Sequence, residues 1–270
     1  MKKLILSILF LCGWVVLASA EVKSEDLTYA VGDKTFKGYI AYDDALTEKR
    51  PGIIVVHEWW GHNEYVRQRA RQLAELGYVA MAIDMYGDGK IAQNPDEAGT
   101  LSKEVYSQPE AAKERFTAAL EVLKNFQWTD KERIGAIGYC FGGSTVLNMA
   151  IAGVNDLDGV VSFHGGLQLP ASEIKEGEIK SKILICQGAA DTFVPEDQVK
   201  AFTQILDQTK ADYQLISYAG AGHSFTNPQA DDYAKQFNLP ISYNKEADEK
   251  SWKDMQDFFN TIFAKTESTQ

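Results

Sequence analysis

Apolar residues in this chain fall into short, nearly unbroken blocks, separated by stretches in which they recur at helical spacing. Residues 52–57 and 78–83 are the first two blocks, the pattern of strands buried on both faces. Residues 63–76 and 109–126 follow the helical pattern, the second through Phe116, Leu120 and Leu123, and Gly77 stands where the first helix must stop. The alternation continues with strands predicted at 133–138, 157–163, 183–187 and 213–218, and helices at 195–209 and 245–263. Ahead of them, residues 27–42 alternate loosely about Gly32-Asp33, which predicts an antiparallel hairpin, and 43–51 is a polar loop. Strand and helix in alternation predict an α/β fold: a mostly parallel central sheet, helices on both faces, and the N-terminal antiparallel hairpin at the edge.

Residues 1–20 stand apart. Lys2 and Lys3 precede an apolar run from 4 to 17, and Ala18-Ser19-Ala20 closes it, the layout of a cleavable secretory signal. Export to a periplasm or out of the cell is therefore expected, with residues 21–270 folding as one domain. Cys12 is a poor lipid-anchor site, because bulky Leu11 precedes it and the Ala-x-Ala site lies downstream. No later apolar run approaches the roughly 20 residues that span a bilayer, so the mature chain is expected to have no membrane span. Loss of Lys2 and Lys3 moves the formal charge from −11 to −13, which argues against nucleic acid as a partner. Only Cys140 and Cys186 then remain, too few for a disulfide scaffold. A free thiol in an oxidising compartment is either a small core residue or a reagent.

Gly138-Tyr139-Cys140-Phe141-Gly142-Gly143 lies between a predicted strand and a predicted helix, the context of a nucleophile elbow with cysteine in the central place. Small neighbours suit the sharp turn that such a nucleophile occupies. The turn aims the Phe141 N–H and a new helix N-terminus at the oxygen on which charge develops. An acid after a later strand and a histidine after the next complete such a site, and Asp191 and His223 stand in that order. His223 would take the thiol proton and return it to the leaving group, while Asp191 holds the ring's tautomer. A helix cap is the plain alternative for Asp191, with Pro195 nearby.

Other signals are weaker. His57 and His62 are five apart at a strand end, not four apart on a helix, so zinc is not expected. Asp84 to Gly89 superficially matches a calcium loop, but Tyr86 and Pro95 stand at ligand positions. His164-Gly165-Gly166 comes after the nucleophile, so it predicts a tight turn and not an oxyanion loop. Cys186 lies in an apolar run and is expected in the core, not in a disulfide with Cys140. No phosphate loop or dinucleotide fingerprint occurs, and no cofactor is expected.

Five segments together resemble the dienelactone hydrolase family of the α/β-hydrolase superfamily: Val56-His57-Glu58-Trp59-Trp60-Gly61, Ala82-Ile83-Asp84-Met85-Tyr86-Gly87, the Cys140 elbow, Gly188-Ala189-Ala190-Asp191 and Gly222-His223-Ser224-Phe225. The resemblance implies an α/β-hydrolase fold, hydrolysis of a small-molecule ester or lactone, and an acyl-enzyme on Cys140. It further implies that Glu58 is a buried carboxylate touching the resting thiol and displaced by substrate, and that the backbone N–H groups of Trp59 and Phe141 form the oxyanion hole. Two arginines that hold a substrate carboxylate in the family are replaced here by Asp88 and Asn227, which disfavours an anionic lactone. Trp59, Trp60, Tyr86, Phe141, Phe163, Phe193 and Phe225 are the candidates to line an apolar pocket. A binding protein without activity and a thiol redox protein are the competing classes; the missing C-x-x-C pair disfavours the latter. Oligomeric state is not legible.

Overall fold

The structure is a computed structural model that describes residues 22–168 and 174–264, so the predicted signal at 1–20 lies outside the described residues. Eight strands form one sheet: β1 (Val22–Val31), β2 (Lys34–Asp43), β3 (Arg50–Val56), β4 (Val79–Ile83), β5 (Thr129–Tyr139), β6 (Gly159–Phe163), β7 (Lys182–Gly188) and β8 (Tyr213–Tyr218). Among the described residues the helices are α1 (Glu64–Glu75), α2 (Pro95–Tyr106), α3 (Pro109–Asn125), α4 (Phe141–Ile151), α5 (Glu196–Gln208), α6 (Ala230–Phe237) and α7 (Lys245–Ile262).

The strand order is β1-β2-β4-β3-β5-β6-β7-β8. The β1–β2 hairpin turns on Gly32-Asp33 and is antiparallel, as is the β2–β4 pair; every pair from β4 to β8 is parallel. β3 shows why the parallel part must be covered on both sides. Its Ile54 and Val56 join one core with Phe116 and Leu120 of α3, Val146 of α4 and Phe202 of α5. Its Ile53 and Val55 join the opposite core with Val66 and Leu73 of α1 and Met255 and Phe259 of α7. Successive side chains of a strand point to opposite faces, so a continuous apolar run satisfies both cores at once. Among the described residues no helix is long and apolar enough to cross a membrane.

Two elements lie outside the predicted set. α2 and α6 carry a third apolar cluster over the strand ends, in which the Trp60 ring stacks on Tyr233 at 4.5 Å and on Phe237 at 5.7 Å. β5 also starts earlier than expected, at Thr129, with a register shift opposite Pro51 and Gly52.

Candidate active site

Parallel strands collect their following loops at one end of the sheet, and three of those loops meet. Cys140 follows β5 directly and is the N-cap of α4, with φ 53° and ψ −113°, a left-handed conformation costly for a residue with a side chain. Close packing enforces it. A Cβ on Gly138 would lie 2.0 Å from the Gly142 carbonyl oxygen, and one on Gly142 would lie 2.3 Å from that of Val56, so the elbow tolerates side chains at neither place. α4 has no acidic residue in its first turn, and its opening N–H groups, Phe141 among them, have no partner within the helix, leaving a partial positive charge beside the sulfur.

His223 approaches from the loop after β8. Its Nε2 lies 3.0 Å from the Cys140 sulfur, and its Nδ1 lies 2.9 Å from Asp191 Oδ2. Asp191 is fixed in turn: Oδ2 also accepts from Gln187 Nε2 at 2.9 Å, and Oδ1 accepts from the Phe193 N–H at 2.8 Å. Burial opposes charge on the His223 ring, yet the Cys140 sulfur and the Asp191 carboxylate outweigh it and raise the ring's pKa to about 10. A sulfur, an imidazole and a carboxylate in this line can pass a proton from the sulfur to a group bound beside it.

Glu58 is buried, and burial raises its pKa against the bond it receives from Asn227. Asn227 Nδ2 donates to Oε2 at 2.6 Å, while Oε1 has no hydrogen-bond partner. The sulfur is thus engaged by His223, and the carboxyl is engaged by the residue standing where the family has its second arginine. Asp88 is exposed and left-handed at φ 56°, in a cleft of about 320 Å³ with Asp26, Lys37, His62 and Arg67.

The aromatic candidates divide. Phe193 is 48% exposed with its ring 4.8 Å from that of His223. Tyr86 is buried and donates to the Trp59 carbonyl at 2.9 Å, bracing the loop that carries Glu58 and Trp59. Phe163 stacks on Tyr139 at 4.9 Å, and Phe225 packs on Tyr218 and the far side of His164; both are core residues. Trp60 is buried under α6.

Two neighbours of the elbow are absent from the sequence-predicted set. His164 carries φ 42° and is fully buried; its Nδ1 accepts from the Cys140 N–H at 3.1 Å, and its Nε2 lies 2.7 Å from Thr226 Oγ1. Burial depresses its pKa strongly, so the ring is neutral and joins the elbow to the His223 loop. Tyr106, the last residue of α2, lays its ring 5.2 Å from that of Phe141. The weaker sequence signals have structural roles: His57 uses both ring nitrogens on the backbone of Glu58 and Met85, and Asp84 accepts from Lys37, Tyr86, Gly87 and Gly89 N–H groups. Cys186 is buried, 3.5 Å from the Tyr218 hydroxyl, and among the described residues Cys140 and Cys186 are both free thiols.

Residues 36–263 match the sequence profile described as the Dienelactone hydrolase family. Among curated proteins, the "Protein usf" of Aquifex pyrophilus is 30% identical over 78% of this chain and 93% of its own. A protein of Aquifex aeolicus named "Putative carboxymethylenebutenolidase" is 31% identical over 73% of this chain and 84% of its own. Among solved structures, a dienelactone hydrolase-like promiscuous phosphotriesterase from metagenomic libraries superposes with a TM-score of 0.83 at 32% identity, over 89% of this chain and 98% of that one. With the elbow, the strand order and a profile that runs from β2 to the end of α7, this chain belongs to the dienelactone hydrolase family and is a hydrolase.

Proposed function

We propose that the chain is an exported hydrolase of neutral carboxylic esters or lactones, with Cys140 as nucleophile, His223 as acid and base, and Asp191 as the residue that orients and charges His223. The observation that carries this reading is the unbroken line from sulfur to imidazole to carboxylate, at 3.0 and 2.9 Å, on a strained elbow. The Cys140 sulfur attacks the acyl carbon as its proton rests on His223 Nε2. The tetrahedral oxygen gains its negative charge facing the N–H groups of Phe141 and Trp59, and the C–O bond to the alcohol breaks as His223 hands that alcohol its proton. Water, deprotonated by His223, then cleaves the thioester and restores the thiol pair.

Neutral substrates are the reading favoured by the replaced arginines: Asn227 is engaged with Glu58 and offers no cation to a carboxylate. Export rests on the pattern of residues 1–20. The test is turnover of nitrophenyl esters of rising acyl length, with a dienelactone and a phosphotriester included, by residues 21–270 and by the Cys140→Ala variant. Expected are loss of turnover in the variant, an acyl adduct on Cys140 of the wild type, and a preference for neutral esters over the dienelactone. Undiminished turnover by Cys140→Ala would sink the mechanism.

A further inference from the structure

Phe193 and Tyr106 are unusual in this molecule. They are large rings left half exposed, at 48% and 49%, although each touches a residue of the candidate site. Phe193 lies against His223 at 4.8 Å, with its backbone N–H bonded to Asp191. Tyr106 lies against Phe141 at 5.2 Å, at the start of α4 and not on His223, and its hydroxyl reaches Ser144, whose own Oγ is 3.4 Å from the Cys140 carbonyl oxygen. Both are therefore held by polar contacts, Phe193 through its own loop and Tyr106 through α4, and the faces left open are apolar. An exposed aromatic face that is rigidly held costs little ordering entropy to bind against, and rings stack on flat partners better than on puckered ones of equal size.

The chemistry fixes which side is which. The acid that protonates a leaving group must lie beside it, so the alcohol portion of an ester on Cys140 lies on the His223 side and the acyl portion on the other. Among the described residues no arginine or lysine lies over either ring, and Arg69, which stands behind His164, is committed to Asp248, Thr226 and Tyr65. We propose that Phe193 is a binding face for a flat group on the alcohol side and Tyr106 one for a flat group on the acyl side, so that the substrates of this site are neutral aromatic esters. This rests on Cys140 being the nucleophile.

Two matched ester pairs separate the faces: benzyl against cyclohexylmethyl acetate, and ethyl phenylacetate against ethyl cyclohexylacetate. The wild type is expected to favour the aromatic member of each pair in kcat/KM. Phe193→Ala is expected to reduce the first preference about threefold to tenfold and Tyr106→Ala the second by a similar factor, whereas Tyr106→Phe keeps it. Equal effects of either alanine on both members of a pair, or no preference in the wild type, would overturn the proposal. A second measurement is independent of turnover: protection of Cys140 from iodoacetamide by N-benzylacetamide, compared with N-(cyclohexylmethyl)acetamide. Stronger protection by the benzyl amide, lost in Phe193→Ala, supports the face even if no ester is cleaved, in which case the hydrolytic reading alone falls. Equal protection by the two amides overturns the face even if esters are cleaved.

Discussion

Replacing His164 separates two bonds that one ring makes at the same time. Nδ1 accepts from the strained Cys140 backbone, and Nε2 bonds Thr226 in the His223 loop. Because Nδ1 is an acceptor, the neutral ring carries its proton on Nε2 and donates to Thr226. His164→Phe removes both bonds. The Cys140 N–H retains the Phe163 carbonyl at 3.0 Å and Thr226 Oγ1 retains the Tyr65 hydroxyl at 2.7 Å, so neither group is orphaned. Two ordinary hydrogen bonds at about 1 kcal/mol each put the cost near ~2 kcal/mol. His164→Asn keeps an acceptor near the Nδ1 position, and asparagine adopts the φ of 42° more readily than histidine; that variant should lose about 1 kcal/mol or less. His164→Gln keeps a donor near the Nε2 position and should lose about 1 kcal/mol without relieving the backbone. Urea unfolding gives these differences. Alkylation of Cys140 by iodoacetamide gives the second readout, in which the order changes. His164→Gln should react at a rate close to that of the wild type because the His223 loop stays tied, while His164→Asn and His164→Phe slow by about tenfold or more as that loop loosens. If His164→Asn and His164→Phe were equally unstable, or if alkylation followed stability across all three, the ring would be packing and not a link.

Three further outcomes are expected. His223, raised from 6.5 to about 10, contributes stability that is fully present below pH 6.5 and is lost as pH rises through about 10, so the wild-type urea midpoint should fall over that window. In Cys140→Ala, which removes the sulfur that helps hold the His223 proton, the alkaline fall should be smaller and end at lower pH; an unchanged profile would refute the coupling. Gly138→Ala places a Cβ 2.0 Å from the Gly142 carbonyl, which should destabilise the fold by ~3 kcal/mol or more and be seen as a lowered unfolding midpoint or insoluble expression. Asp191→Asn should leave the fold intact by circular dichroism and lower kcat by a factor on the order of 10³–10⁴, because the amide cannot hold the charged ring; a loss below about tenfold would show that Gln187 and the rest of the loop orient His223 without it.

The sheet is legible because its strands must satisfy two cores, and a run such as Ile53 to Val56 has no other stable use. The elbow is legible because the Gly138 and Gly142 contacts admit no side chain. α2 escapes because Gly99, Thr100 and Ser102 dilute its apolar stripe, although its start is written in the chain: Asn94 accepts from the Glu97 N–H, and the Glu97 carboxylate accepts from the Gln93 N–H, a reciprocal cap. α6 is short, and only its stacking on Trp60 marks its apolar face, a contact between distant segments that periodicity does not reveal. His164 reads as a turn residue because nothing local distinguishes a histidine that bonds Thr226, which lies 62 positions away. Phe163 and Phe225 are legible as aromatic but not as core, since an aromatic residue at a strand end can face either way.

The parallel pairing of β5 to β8 gives this site a particular place in the life of the chain. Cys140 and His223 lie 83 positions apart, after β5 and β8, which meet only through β6 and β7, and Asp191 and His223 lie 32 apart, after the neighbouring β7 and β8. A slip of one residue between neighbouring strands displaces the loop at the strand end by about 3.3 Å, as much as the full length of either bond in the line. No fragment folded from nearby sequence contains the sulfur together with the ring that holds its proton, and pairings of this range form slowly. Enhanced thiol reactivity is therefore absent from a collapsed or misregistered chain, and in refolding it reports the moment at which this half of the sheet reaches its final alignment.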